Sequence, residues 1–274
     1  MSNPSVNPGP RCACLFALLC WAFLDPVHGY SQSADEISTD RPDFVEAATT
    51  VGKGRIQVET SVALSDMSAG GIDVTTWTTP TLFRVGVTEV LELRWESDWL
   101  VREETTPIVD SSSTATGLAD FSVGLKWHLR DQDRGRPAMA VLVHADLPTG
   151  SDGAGSPGTR PSLRVTGEWD LGNDVGLGVM PGIRSDRDGP DRFVSGILGV
   201  VVGKGWTPKF GSFAELALEQ IASGSHGGTV GALGFGASYL LSPFWQLDTA
   251  LSLGLNDRST DVGVTVGISG LVVR

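Results

Sequence analysis

The sequence predicts an all-β protein, a transmembrane antiparallel up-and-down β-barrel of about 12 strands. Three observations predict it. Apolar and polar residues alternate with a period of two along segment after segment, while no later stretch is long and apolar enough for a membrane-spanning helix. The alternating segments run to roughly ten residues, longer than the usual strand of a soluble sheet and matched to a tilted strand crossing hydrocarbon. The links between them differ in length, with tight turns toward one end and longer polar loops toward the other.

Taken in order, residues 1–29 read as a secretory signal peptide. Arg11 precedes the apolar run CACLFALLCWAFL, and Gly29 closes a small-residue cleavage site after VHG. At about 13 residues the run is short of the ~20 that span a bilayer as a helix, so secretion fits better than anchoring. Cys12, Cys14 and Cys20 all lie inside it. Its removal leaves a chain without thiols, which excludes disulfides and cysteine-based metal or nucleophile sites.

Residues 30–54 are expected to form an N-terminal periplasmic arm and residues 55–274 the barrel. The strands are placed at about 55–64, 74–87, 91–102, 118–129, 138–147, 162–171, 175–184, 192–202, 213–221, 229–240, 244–255 and 261–273. LELRWESDWLV shows the logic. Leu91, Leu93, Trp95, Trp99 and Val101 share one parity, whereas Glu92, Arg94, Glu96 and Asp98, joined by Arg102, share the other. The apolar face is assigned to lipid and the charged face to a wet interior. An Arg or Lys at mid-bilayer on the lipid face costs ~2–4 kcal/mol, so a one-residue slip is prohibitive. Links 103–117, with DSSSTATG, and 148–161, with PTGSDGAGSPGTRP, are expected to be long loops.

The formal net charge of −12, without clustered Lys or Arg, argues against nucleic acid as a partner and against docking on an anionic membrane surface. Candidate lumen-lining residues are the inward charges. On the third and fourth strands these are Glu92, Arg94, Glu96, Asp98, Arg102, Asp120 and Lys126. Further along they are Asp146, Arg164, Glu168, Asp170, Arg184, Glu215, Glu219 and Asp248. Arg94, Arg102, Lys126 and Arg164 are expected to form an electropositive wall opposing an acidic one. Each charge can alternatively be a salt-bridged strut across a narrow lumen.

TDRPDF carries Asp40, Arg41, Pro42 and Asp43 just before the first strand. It reads as an ordered arm protecting the closing seam, with a plug folded into the barrel mouth as the alternative. Pro42 withholds an amide from the ladder, as suits a segment outside the sheet. With no H-x-x-x-H pairing, neither metal nor cofactor is expected. His144 and Asp146 share a face near Ser122 and Ser162, but alternation alone generates such coincidences, and no enzyme is expected. Trp77, Trp95, Trp99, Trp127, Trp169, Trp206 and Trp245 read as lipid-facing or girdle residues.

STDRPDFVEAATTVGKGRIQVETSVAL, beginning at Ser38, and SPFWQLDTALSLGLND, beginning at Ser242, resemble the start and the closing motif of the outer-membrane MetA-pathway phenol-degradation family, often called transporter. TLFRVGVTEVLELRW, GLADFSVGLKWHL and LPTGS between them are similar to that family in order and spacing. The resemblance implies a barrel in the outer membrane of a Gram-negative bacterium, with a channel or transport role sometimes linked to aromatic compounds. Its implied partners are outer-membrane lipid, the barrel insertion machinery and a small-molecule solute. Such barrels commonly end in an aromatic residue, whereas this chain ends Leu271, Val272, Val273, Arg274. The functional expectation is passive passage of small solutes through a charge-lined lumen. The alternative is a non-transporting structural or binding barrel with a self-filled interior, and behind that a lipid-modifying barrel enzyme.

Overall fold

The computed structural model describes residues 36–107, 111–188 and 191–272. The expected signal peptide and its cysteines lie outside the described residues, as do Val273 and Arg274.

Fifteen β-strands build twelve staves, because three staves are each made of two strands. β1 (Ile56–Ala69) is the first stave. β2 (Ile72–Thr78) and β3 (Thr81–Gly86) form the second, β4 (Leu91–Ser97) and β5 (Leu100–Pro107) the third, and β6 (Ser113–Leu118) and β7 (Phe121–Arg130) the fourth. The rest are β8 (Ala138–Leu147), β9 (Arg160–Asp170), β10 (Val175–Asp188), β11 (Asp191–Thr207), β12 (Phe210–Ile221), β13 (Val230–Ser242), β14 (Trp245–Gly254) and β15 (Val262–Val272). Each stave pairs antiparallel with the next, and β15 closes on β1 from Ile56↔Val272 to Asp66↔Val262. The closed, all-antiparallel ladder leaves the wall without a free edge where it crosses lipid.

Burial is inverted relative to a soluble protein. The largest fully buried side chains are Arg84, Arg94 and Lys126, while Val62, Val266, Val264, Leu251 and Trp245 are exposed on the outside. Five of the tryptophans, Trp77, Trp99, Trp127, Trp206 and Trp245, are exposed as well. Alternation therefore sends ionised residues inward and apolar residues outward, as a barrel in hydrocarbon requires.

The second to fourth staves break at one level, at Thr79–Pro80, Asp98–Trp99 and Ala119–Asp120. Pro80 has no amide to give the ladder, and Trp99 adopts a positive φ of 46°. From Thr81↔Ser97 to Trp77↔Arg102 one stave advances by four residues (81 to 77) and its neighbour by five (97 to 102). That extra residue is a bulge, and it reverses which parity faces the lumen. Arg102 consequently pairs with Trp77, which pairs with Leu64 on the outer face. The expectation that Arg102 lines the lumen is corrected: it stands outside.

Residues 103–117 are also not a plain loop. Thr105 to Val101 pair with Ser113 to Gly117, so the segment is mostly the β5–β6 hairpin. Thr and the adjacent small polar residues suit a strand wet on both faces. The first link, Gly70-Gly71, is a two-residue turn with φ of 61° and 82°, values that glycine adopts without strain. Links 87–90, 131–137, 171–174, 208–209 and 243–244 lie at the end where the arm joins β1, termed the arm end. Links 148–159, 222–229 and 255–261 lie at the opposite, loop end.

Candidate functional site

Residues 37–52 run inside the barrel rather than along its seam. The amide of Ile37 donates to Pro243 O (2.6 Å) at the arm end, where Ile37, Val51 and Leu271 pack together. The chain then climbs to a tip at 41–45 and descends to Val51, its two limbs joined by Ser38 Oγ···Thr49 Oγ1 (3.1 Å) and by Ala47 N donating to Asp40 Oδ1 (2.9 Å). The expectation of a seam-protecting periplasmic arm is thus corrected in favour of the plug.

An irregular segment in a lumen has no ladder to satisfy its backbone, and unpaired buried amides and carbonyls are costly. Wall side chains take the ladder's place. Glu59 accepts from Asp40 N and Arg41 N (2.9 Å each), Glu215 from Phe44 N (2.8 Å), Glu168 from Ala48 N (2.7 Å), and Glu92 from Val51 N (2.9 Å). In return Arg84 donates to Ser38 O (2.9 Å), Lys126 to Ala47 O (2.9 Å) and Thr166 to Glu46 O (2.7 Å), while His128 Nδ1 lies 2.8 Å from Ala48 O. Carboxylates meet the arm's N–H groups, and cations and hydroxyls meet its carbonyls. This explains why both signs of charge occur on one inner face.

The same residues form an ion-pair network on β3, β4 and β7. Arg84 binds Glu92 (2.8 Å) and Glu59 (2.9 Å); Arg94 binds Asp40, Glu46 (2.8 Å) and Glu92 (3.3 Å); Lys126 binds Asp40 (2.7 Å). Burial pushes the Asp40 carboxyl toward neutrality, but Arg84, Lys126 and Arg94 outweigh it and hold the group well below the usual carboxylate range. Arg41 reaches the other side, to Thr265 (2.9 Å) and Asp248 (3.5 Å).

At the tip, Val45 packs against Met180 and Val201, with Phe44 and Phe213 beside them. Gly199 provides the seat: a Cβ there would lie 2.6 Å from Val45 Cγ2. Asp43, next to this contact, is half-buried within reach of the carboxylates of Glu215, Asp40 and Glu168. Burial first, and then those three charges, raise it well above the usual carboxylate range.

The remaining candidates are spread along the lumen. Arg164 pairs with Glu46 (2.7 Å) and Arg184 with Asp186 (2.8 Å). Glu96, Asp98 and Asp146 line a cavity above the arm, with Glu96 3.2 Å from His144 Nδ1 and Asp146 3.3 Å from Arg160. Asp170 sits at the arm end and Glu219 toward the loop end. Asp120 lines the same cavity as Glu96 and Asp98 and also holds link 148–159, accepting from Thr149 N (3.2 Å), Gly150 N (2.9 Å) and Ser156 N (2.7 Å). Ser122 donates to Asp146 (2.7 Å), so its hydroxyl is held by a carboxylate and not by His144.

Arg84, Glu59, Gln57 and Glu46 belong to the network but escaped sequence reasoning. The available signal was a lone charge on the inward parity of TLFRVG and of IQVETS, which counts for less than a row of charges but marks the same face.

The architecture is that of an outer-membrane β-barrel. An outer membrane channel from Pseudomonas putida F1 superimposes with a TM-score of 0.65 at 14% identity, over 86% of this chain and 100% of that one. The β domain of the Bordetella autotransporter BrkA gives 0.53 at 12%, over 80% and 99%. No curated protein matches the chain. Within this class, the chain belongs to the family described as "Putative MetA-pathway of phenol degradation", whose model matches residues 39–270.

Proposed function

We propose that this barrel is a passive channel in the outer membrane of a Gram-negative bacterium, admitting small solutes past the arm with no cofactor or energy input. The observation that carries it is the arrangement of the free space. Cavities of about 420 and 320 Å³ enter from the loop end, one of about 540 Å³ enters from the arm end, and all three reach the arm tip. A closed wall with a wet, charged interior and space on both sides of one constriction suits diffusion across hydrocarbon. The arm end then faces the periplasm, which also fits export by a signal in residues 1–29 and insertion by the barrel assembly machinery. Aromatic solutes are the class that the family description favours.

A second reading, a self-filled structural barrel, is favoured by the number of wall groups engaged with the arm backbone. Single-channel recording of the purified protein separates the two. The channel reading expects a small, steady conductance that grows when residues 39–44 are deleted. No conductance in the native protein, with a large one only after deletion, favours the self-filled barrel. No conductance in either excludes both a channel and a removable plug.

A further inference from the structure

The lumen holds carboxylates outside the ion-pair network. Asp43 on the arm tip, Glu168 on β9, and Glu215 and Glu219 on β12 form no ion pair among the described residues; Glu168 accepts from Ala48 N, and Glu215 from the amides of Phe44 and Val45. The basic residues that could serve them are already taken, Arg164 by Glu46 at 2.7 Å and Arg184 by Asp186 at 2.8 Å. This side of the lumen therefore carries uncompensated negative charge, whereas the side toward β3, β4 and β7 is neutralised by contact.

Free space lies on both sides of the arm tip: the cavity of about 420 Å³ runs along β3, β4 and β7, and the other two run along the uncompensated side. Asp43 lines all three cavities. The one toward β12–β15 also has Glu215 and Glu219, and the one open to the arm end has Glu168 and Asp170. A solute moving between the two ends has Asp43 beside it at the point where the cavities meet. Fixed charge at such a junction acts with little screening, because the flanking walls are protein and not bulk water.

We infer that Asp43 determines the charge selectivity of the passage, and that with Glu168 and Glu215 it makes the junction favour cationic solutes, protonated amines among them, over anions. A passing cation supplies the positive charge that these carboxylates lack, while an anion is repelled by them. The inference rests on the channel reading for its meaning in transport, but the electrostatic part can be tested apart from it.

The first measurement is the reversal potential of single barrels under a potassium chloride gradient, taken on the alkaline side of neutrality so that Asp43, raised above the usual carboxylate range, is ionised. The native protein is expected to prefer potassium, Asp43→Asn to lose part of that preference, and Asp43→Lys to invert it. Anion preference in the native protein, or a reversal potential that Asp43→Lys leaves in place, overturns the inference. The second uses the detergent-purified Asp43→Cys protein, with the native chain as blank, and thiol reagents of matched size but opposite charge. The cationic reagent is expected to label about tenfold faster than the anionic one; equal rates, or no labelling by either, overturn the proposal. Cation-preferring labelling in a protein that conducts nothing would support the charge assignment and sink the passive channel.

Discussion

The two sides of the lumen use the same residue types to different ends. Toward β3, β4 and β7, Arg84, Arg94 and Lys126 are at most 1% exposed, and each has at least one carboxylate partner within hydrogen-bond reach. Toward β9 and β12, Glu168 and Glu215 accept from arm amides and otherwise face open space. What separates a strut from a pathway-lining group is therefore not its type or its inward parity, but whether an opposite charge lies within bonding distance. Both sides hold the arm, but only the second leaves charge without a bonded counter-charge for a solute to meet.

The strongest way to break that contrast is Arg84→Met. It removes the cation shared by Glu59, Glu92 and the Ser38 carbonyl, leaving buried carboxylates without their partner. Removing one member of a buried pair costs about 3–5 kcal/mol. The arm should undock: the melting temperature in detergent falls, and protease cuts within residues 37–52 of the purified barrel. An arm that stays protected would show the network to be dispensable for docking.

Next comes Gly199→Val, which attacks the opposite side by shape. Even the first added carbon would lie 2.6 Å from Val45 Cγ2 and 3.1 Å from Phe44. Overpacking of this kind costs about 1–3 kcal/mol, and the tip, which belongs to no ladder, has to yield before the wall. Displacement of the tip alone should raise conductance while the Arg84 network still protects residues 46–51. Unchanged conductance would place the passage away from the tip.

Asp43→Asn has a smaller effect, and its sign depends on pH. Asp43 titrates above its unfolded value, so between the two values the folded state holds more protons than the unfolded chain, and stability falls as pH rises through that window. Asn is neutral throughout. The variant should therefore melt higher than the native protein at about pH 8, with the difference vanishing toward about pH 4. A variant that melts lower at the alkaline end would mean that the ionised carboxylate is stabilised by a partner.

Much of the wall was legible in the sequence, because one physical requirement, oil outside and water inside, writes itself into every second residue. Glu92, Arg94 and Glu96 follow that rule, and the expected positions of all twelve strands fall on the observed staves. The arm was not legible, since the groups that satisfy its backbone come from far along the chain: Glu168 lies 120 residues from Ala48, and Glu215 lies 171 from Phe44. TDRPDF announces only that it is not a strand. Residues 103–117 lost their signal for another reason. With both faces of the β5–β6 hairpin wet, nothing selects apolar residues for one parity, and the strands read as a polar loop.

The mildest change examines the failure at Arg102. Through Ser97 the alternation of LELRWES is kept, and then the residue inserted around Trp99 transfers Arg102 from the expected inner row to the face of Trp77. Periodicity cannot announce a bulge, because the sequence on either side of it is equally regular. Arg94 and Arg102, which look alike in the strand pattern, should therefore respond differently. Arg94→Leu strips Asp40 and Glu46 of a buried partner and should destabilise the arm strongly. Arg102→Leu alters an exposed side chain above the break and should shift stability by no more than about 0.5 kcal/mol, with conductance and ion preference unchanged. A reversal potential that moves on Arg102→Leu would return that residue to the lumen and place the bulge elsewhere in the third stave.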